Sequence, residues 1–159
     1  MEIKFDKNAN SDFLADKKIA IIVGYFYQEI GDKLLISAQK TLMKYGAKAD
    51  SNDVFYAPGA FEIPLLAKKL ALTGKYAGII TLGAVIKGET PHFDFVCSEC
   101  ARGVAAVSYQ YEIPIGFGVL TTENMAQTLD RAGGSKGNKG QEAANAMLEM
   151  LYLIEQAEH

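Results

Sequence analysis

Apolar runs and helical periodicity alternate along this chain. Residues 18–24 read Lys-Ile-Ala-Ile-Ile-Val-Gly, with no polar alternation. Such a run suits a strand buried on both faces, as in a parallel sheet. The span 29–45 carries Ile30, Leu34, Leu35, Ala38, Leu42 and Tyr45 at helical spacing, with Gly46 as its stop. Residues 53–57 predict a short second strand. Pro58-Gly59-Ala60-Phe61-Glu62-Ile63-Pro64 breaks it, and a helix runs on through Leu65, Leu66, Leu70 and Leu72 to Gly74. The third strand starts with the apolar run 79–82. A polar turn follows at Lys87-Gly88-Glu89-Thr90, and a helix opens near Pro91 and continues through His92, Val96, Cys100, Val104 and Val107. Pro favours a first helical turn, and Thr is a good cap just before it. Residues 113–120 predict the fourth strand. Thr121 to Asn124 cap a short helix reaching Arg131, and a Gly-rich linker at 133–140 leads to a final helix at about 141–156.

Alternation of this kind predicts βαβ units, a parallel sheet and helices on both of its faces: an α/β fold in three layers. At 159 residues the chain is read as a single domain, 1–159. Residues 1–17 are polar and mixed, with Phe5, Phe13 and Leu14 standing out, and predict an N-terminal arm or edge segment outside the core.

Composition narrows the function classes. Hydrophobic residues make up 49% and charged residues 22%, and the net charge is −3, ordinary for a globular protein. No Lys/Arg cluster marks a nucleic-acid partner. The start lacks the apolar core of a signal peptide and no stretch approaches membrane-span length, so a cytoplasmic protein with no membrane contact is expected. Cys97 and Cys100 have C-x-x-C spacing inside a helical run. A zinc site would need a second ligand pair, and a redox pair would sit where its helix opens. They read as two small helix residues.

The loop after the third strand carries most of the candidate chemistry. It leaves the carboxyl end of a buried strand and feeds a helix N-terminus, where free N–H groups and the helix dipole favour an anion, phosphate above all. His92 opens that helix; the only other histidine is His159, the last residue. His92 could be a general acid or base near neutrality, or a structural histidine. Glu89 and Thr90 form either a plain turn and cap or a phosphate cradle. Four strand ends are expected to converge on this edge. They bring Phe26 after the first strand, Ala60-Phe61-Glu62 after the second, Ala84 to His92 after the third, and Phe117 to Thr122 at the fourth. Phe26 could stack on a flat heterocycle or tuck beneath the helix. Glu62 opens a helix, where a carboxylate suits the dipole anyway. Arg131 could clamp a phosphate or simply suit a helix C-terminus. Walker A, G-x-G-x-x-G and metal-cluster patterns are missing, so the residues point to a cofactor-free site for a phosphate and a ring.

Four motifs in order then resemble one family. They are Pro58-Gly59-Ala60-Phe61-Glu62-Ile63-Pro64, the run from Gly83 through Lys87-Gly88-Glu89-Thr90-Pro91-His92 to Phe95, Gly118-Val119-Leu120-Thr121-Thr122-Glu123-Asn124, and Arg131-Ala132-Gly133 with Gly137-Asn138-Lys139-Gly140. Together, over about residues 17–156, they resemble the 6,7-dimethyl-8-ribityllumazine synthases of riboflavin biosynthesis. That resemblance implies a transferase without a cofactor or metal. It would condense 5-amino-6-(D-ribitylamino)uracil with 3,4-dihydroxy-2-butanone 4-phosphate in the penultimate step of the pathway. Position by position, it implies that Phe26 stacks on the pyrimidine and that Ala60, Phe61 and Glu62 with Ala84, Val85 and Ile86 contact the ribitylaminouracil. It makes Glu89 and Thr90 the phosphate loop and His92 the proton-transfer group. Phe117 and Arg131 would complete the site from a neighbouring subunit, Arg131 on the phosphate, with Lys139 as a nearby basic residue.

The implied fold is flavodoxin-like, a four-stranded parallel sheet whose N-terminal arm joins a neighbouring subunit's sheet. The implied assembly is a homopentamer or a sixty-subunit icosahedral shell of pentamers, and the short linker 133–140 favours the shell. Riboflavin synthase is the candidate enclosed partner. Two departures stand out. Tyr25-Phe26-Tyr27 replaces a commoner Arg-Phe-Asn, and Lys87 replaces a commoner Arg, losing the bidentate fork. Three rival readings are a non-catalytic flavin or lumazine carrier, a mainly structural shell protein, and riboflavin synthase activity. Retained His92 and Arg131 argue against the carrier, which needs neither a proton shuttle nor a phosphate clamp.

Overall fold

A computed structural model of the chain describes residues 11–48 and 50–159. The first strand, β1 (Ile19–Gly24), is buried along its whole length because alternate side chains feed two separate cores. Ile19, Ile21 and Val23 point to one face, against Leu34 and Leu42 of α1 (Gln28–Met43) and Met147 and Leu148 of α5 (Lys139–Ala157). Ala20 and Ile22 point to the other, against Ile63 and Ala67 of α2 (Ile63–Leu72) and Cys100 and Val104 of α3 (His92–Tyr111). This explains the unbroken apolar run: a strand between two helical layers has no solvent face to alternate with.

Strands β2 (Asn52–Ala57), β3 (Gly78–Ile86) and β4 (Ile115–Thr122) complete a sheet of four strands in the order β2-β1-β3-β4. All of its pairings are parallel. The result is the expected three-layer α/β/α, flavodoxin-like architecture. β2 lies on one side of β1 and β3 on the other, so the direction of winding reverses between β1 and β3. Crevices in open parallel sheets form at the carboxyl ends of strands flanking such a reversal.

Several boundaries differ from the sequence reading. β3 runs on to Ile86, beyond the expected 79–82, because its last residues pair in register with β4, Ala84 with Leu120 and Ile86 with Thr122. The expected linker at 133–140 is partly structured. β5 (Ala132–Gly134) and β6 (Gly137–Asn138) form a small antiparallel pair, and α5 begins at Lys139. Asn138 caps α5 by accepting from the Gly140 N–H at 2.8 Å. A Cβ on Gly140 would run into the Leu34 carbonyl oxygen, so only glycine lets α5 start this close to α1. α4 (Met125–Arg131) is capped as its sequence predicts, Asn124 accepting from the Gln127 N–H at 2.9 Å.

The N-terminal arm was expected to stay outside the core. Residues 1–10 of it lie outside the described residues, but Leu14 corrects the reading for the remainder. It is fully buried in the α1/α5 core, and its N–H donates to the Tyr45 carbonyl at 2.8 Å. Two apolar neighbours, Phe13 and Leu14, within a polar stretch carry no period, so no pattern in the chain signals this burial. Among the described residues no helix is long and apolar enough to cross a membrane.

Candidate active site

The winding reversal places Gly24 of β1 beside Gly83 of β3, and the chain segments leaving both strands diverge there. A cavity of about 430 Å³ opens between them. That is within the size range of small-molecule sites. Its walls come from three of the four expected strand ends: Phe26 and Tyr27 after β1, the 3₁₀ turn Ala60–Glu62 after β2, and, after β3, Ala84 to Ile86 at the strand's end with Thr90 and His92 at the start of α3. Most of the lining is apolar and the polar groups are few, which is how a pocket grips a flat ring while fixing its orientation.

Each wall has a physical reason for its place. Phe26 is 75% exposed in the chain, so its ring is offered to the cavity and does not tuck under α1. The backbone before it is pinned by the Tyr25 N–H donating to the Ala57 carbonyl at 3.0 Å, and the backbone after it by the Tyr27 carbonyl accepting from Gly31 at 3.0 Å. Pro64 near the start of α2 fixes where the 60–62 turn gives way to helix. The Glu62 carboxylate folds back towards Gly59, where a Cβ would lie 3.3 Å from its oxygen. Gly88 and Thr90 of the loop reach the cavity, and Glu89 between them is exposed. The Thr90 hydroxyl accepts from the His92 N–H at a long 3.4 Å, so Pro91 is the capping residue itself and Thr90 assists from one position earlier. His92 is the first residue of α3 and is exposed.

Phe117, Arg131 and Lys139 lie elsewhere. Phe117 pairs with Thr81 in mid-sheet and is half-buried against the α2/α3 core, well short of the carboxyl end of β4. It does not line the cavity, so the expected convergence of all four strand ends does not occur within one chain. The reason is register: Phe117 is only the third residue of β4, and the end of that strand leads into α4. Arg131 and Lys139 line a second cavity of about 320 Å³, with Thr121, Thr122, Lys136 and Glu142. The Arg131 guanidinium donates to the Gln127 carbonyl at 3.0 Å, and Lys139 pairs with Glu142 at 3.1 Å. Three cations against one carboxylate make this a basic, anion-favouring hollow. Lys87 joins the two rims, its N–H donating to the Thr122 carbonyl at 2.9 Å and its Nζ standing 3.7 Å from Glu123.

Lys136 and Tyr27 are among the lining residues that sequence reasoning missed. Lys136 sits in the Gly-rich stretch with no motif of its own, and only the β5/β6 turn brings it beside Arg131. Tyr27 was noted only as a departure. The C-x-x-C pair behaves as read. Burial pushes the Cys100 thiol up to about 11, with Cys97 adding to the shift, and burial followed by the Asp94 charge raises Cys97. Such thiols are poor nucleophiles at neutral pH.

Comparison with known proteins adds a further line of support. Residues 16–155 match the family model described as 6,7-dimethyl-8-ribityllumazine synthase. The chain is 67% identical to the protein of that name from Ruthia magnifica subsp. Calyptogena magnifica, over 163 aligned positions covering 99% of this chain and 98% of the relative. It is 68% identical to the one from Vesicomyosocius okutanii subsp. Calyptogena okutanii (strain HA), with the same coverage.

Proposed function

The chain belongs to the 6,7-dimethyl-8-ribityllumazine synthase family and makes that lumazine in riboflavin biosynthesis, and we propose that it does so in a site assembled from both cavities, each supplied by a different subunit. The larger cavity takes 5-amino-6-(D-ribitylamino)uracil. Phe26 stacks on the pyrimidine, and Ala60, Phe61 and Glu62 with Ala84, Val85 and Ile86 hold the ring edge and the ribityl chain. Glu89 and Thr90 frame the 3,4-dihydroxy-2-butanone 4-phosphate at the α3 N-terminus, where the helix dipole favours the phosphate. Arg131 and Lys139 of the neighbouring subunit close on that phosphate, and Phe117 of the same neighbour covers the ring.

The chemistry needs positioning and proton movement. The pyrimidine's 5-amino group attacks the ketone and water leaves, giving an imine. Phosphate is then eliminated, taking its electron pair, and the resulting enol tautomerises. The ribityl-bearing amine closes the second ring with loss of another water. His92 takes the proton from the attacking amine and returns protons to the departing oxygens. Cationic groups around the phosphate stabilise the charge it carries away. Holding two substrates in register removes several kcal/mol from the barrier. No step asks for a redox group.

The observation that supports this reading most is that Phe26, Ala84 to Ile86, Thr90 and His92, far apart in sequence, line one cavity at the winding reversal. The second support is that the basic residues implied for the phosphate lie outside that cavity, in a hollow of their own. A homopentamer, alone or built into an icosahedral shell that could enclose riboflavin synthase, supplies the neighbour, and the cytoplasm is the proposed location. The test is to mix purified protein with both substrates and follow lumazine fluorescence above the slow uncatalysed background. A protein-dependent rate is expected. Tight pyrimidine binding without turnover would instead leave a carrier.

A further inference from the structure

Phe26 carries the ring contact in the proposed site, yet little of its own packing fixes it. Its side chain is 75% exposed, and an exposed Phe is free to move among staggered rotamers. The one described ring against it is Tyr27, edge-to-face at 5.0 Å between centroids and 70° between planes. Tyr27 is anchored where Phe26 is not. Its side chain packs against the α1/α5 core, and its carbonyl accepts the N–H of Gly31 as α1 begins. Tyr27 also lines the same cavity. The sequence therefore sets two rings side by side, one rooted in the core and one projecting into the site.

We propose that Tyr27 is a positioning residue that holds the Phe26 ring in the orientation that receives the pyrimidine. This rests on the reading of Phe26 as the stacking group and adds a residue that acts through it. A ring already held in place loses less freedom when the substrate stacks on it, so the gain appears as pyrimidine affinity. The edge-to-face partner is the source of that restraint. In the proposed site the butanone phosphate is held at the α3 N-terminus, so its binding is expected to be independent of Tyr27. The chemical step is likewise untouched, because stacking is shared by ground state and transition state.

Steady-state kinetics on the full-length assembled protein test this with Tyr27→Leu, Tyr27→Phe and Phe26→Ala. Tyr27→Leu keeps the apolar anchor and loses the ring. It is expected to raise the KM for ribitylaminouracil by about threefold to tenfold, the scale of one aromatic pair. The KM for butanone phosphate and kcat are expected to stay within about twofold. Tyr27→Phe keeps the ring and is expected to match the parent. If leucine disturbs assembly, Tyr27→Met fills the same gap flexibly and serves in its place. The proposal is overturned if Tyr27→Leu leaves the pyrimidine KM unchanged while Phe26→Ala raises it, which would leave the stacking role standing alone. It is equally overturned if both KM values rise together, which marks a packing defect, or if Tyr27→Phe behaves like Tyr27→Leu, which assigns the effect to the hydroxyl. An unchanged pyrimidine KM in Phe26→Ala as well would remove the stacking reading itself.

Discussion

Replacing His92 with alanine is expected to slow lumazine formation by roughly a hundredfold, the usual scale for losing one positioned acid or base. The reason lies in the contents of the cavity. His92 is the only imidazole among its lining residues, and Glu62 is the only carboxylate. An imidazole can both take up and release a proton near neutrality, which suits a reaction in which protons must move both ways. Its exposure and its place as the first residue of α3 mean that truncation removes little packing. Assembly and melting temperature are therefore expected to stay close to the parent's. The readout is kcat from lumazine fluorescence, with size-exclusion chromatography as control. A rate within about twofold of the parent would remove His92 from the mechanism.

Arg131→Ala is the second large effect. The guanidinium has five N–H donors, and one hydrogen bond to the Gln127 carbonyl is the described use of them. The others are offered to the basic hollow that also holds Lys136 and Lys139. If the hollow takes the phosphate, losing a charge-assisted pair is expected to raise the KM for butanone phosphate by roughly tenfold to a hundredfold. The KM for the pyrimidine is expected to move by less than about twofold, because the proposed site holds that substrate in the other cavity. Lys139 is a point charge already shared with Glu142, so it does not replace the paired donors of a guanidinium. Equal losses for both substrates would mean that the change disturbs α4 packing and that Arg131 has no specific hold on the phosphate.

Much of this architecture is legible in the sequence, for reasons that can be named. β1 and β3 are buried between two helical layers, so their apolar runs leave no doubt about strand type. Asn124 announces a helix start by the chemistry of its side chain. The cavity follows from the same logic, since a parallel sheet with helices on both faces must reverse its winding somewhere and the loops at that point carry Phe26 and His92. What escaped the sequence depends on register and on contacts distant along the chain. The extension of β3 to Ile86 is decided by its pairing with β4. The burial of Leu14 is decided by the turn after α1, where Gly46 takes a positive φ of 90° and Asp12 packs against it. The separation of Phe117 and Arg131 from the main cavity follows from register: Phe117 pairs in mid-sheet, and Arg131 ends the helix that follows β4. Lys136 joins the basic hollow only through a β-turn that no periodicity signals. The motif resemblance implies a phosphate contact for Arg131; in the structure Arg131 lines a hollow separate from the cavity that His92 lines.

The claim that the site is shared between chains can be measured by complementation. His92→Ala and Arg131→Ala chains, each nearly inactive on its own at limiting butanone phosphate, are co-expressed at equal levels and the mixed assemblies purified. If each site draws His92 from one chain and Arg131 from its neighbour in a head-to-tail ring, random mixing restores about a quarter of the sites to full composition. Activity is then expected to rise to about a quarter of the parent's, far above either variant. If both residues serve a site within one chain, no mixed assembly contains an intact site, and activity that stays at the level of the two separate variants would contradict the account.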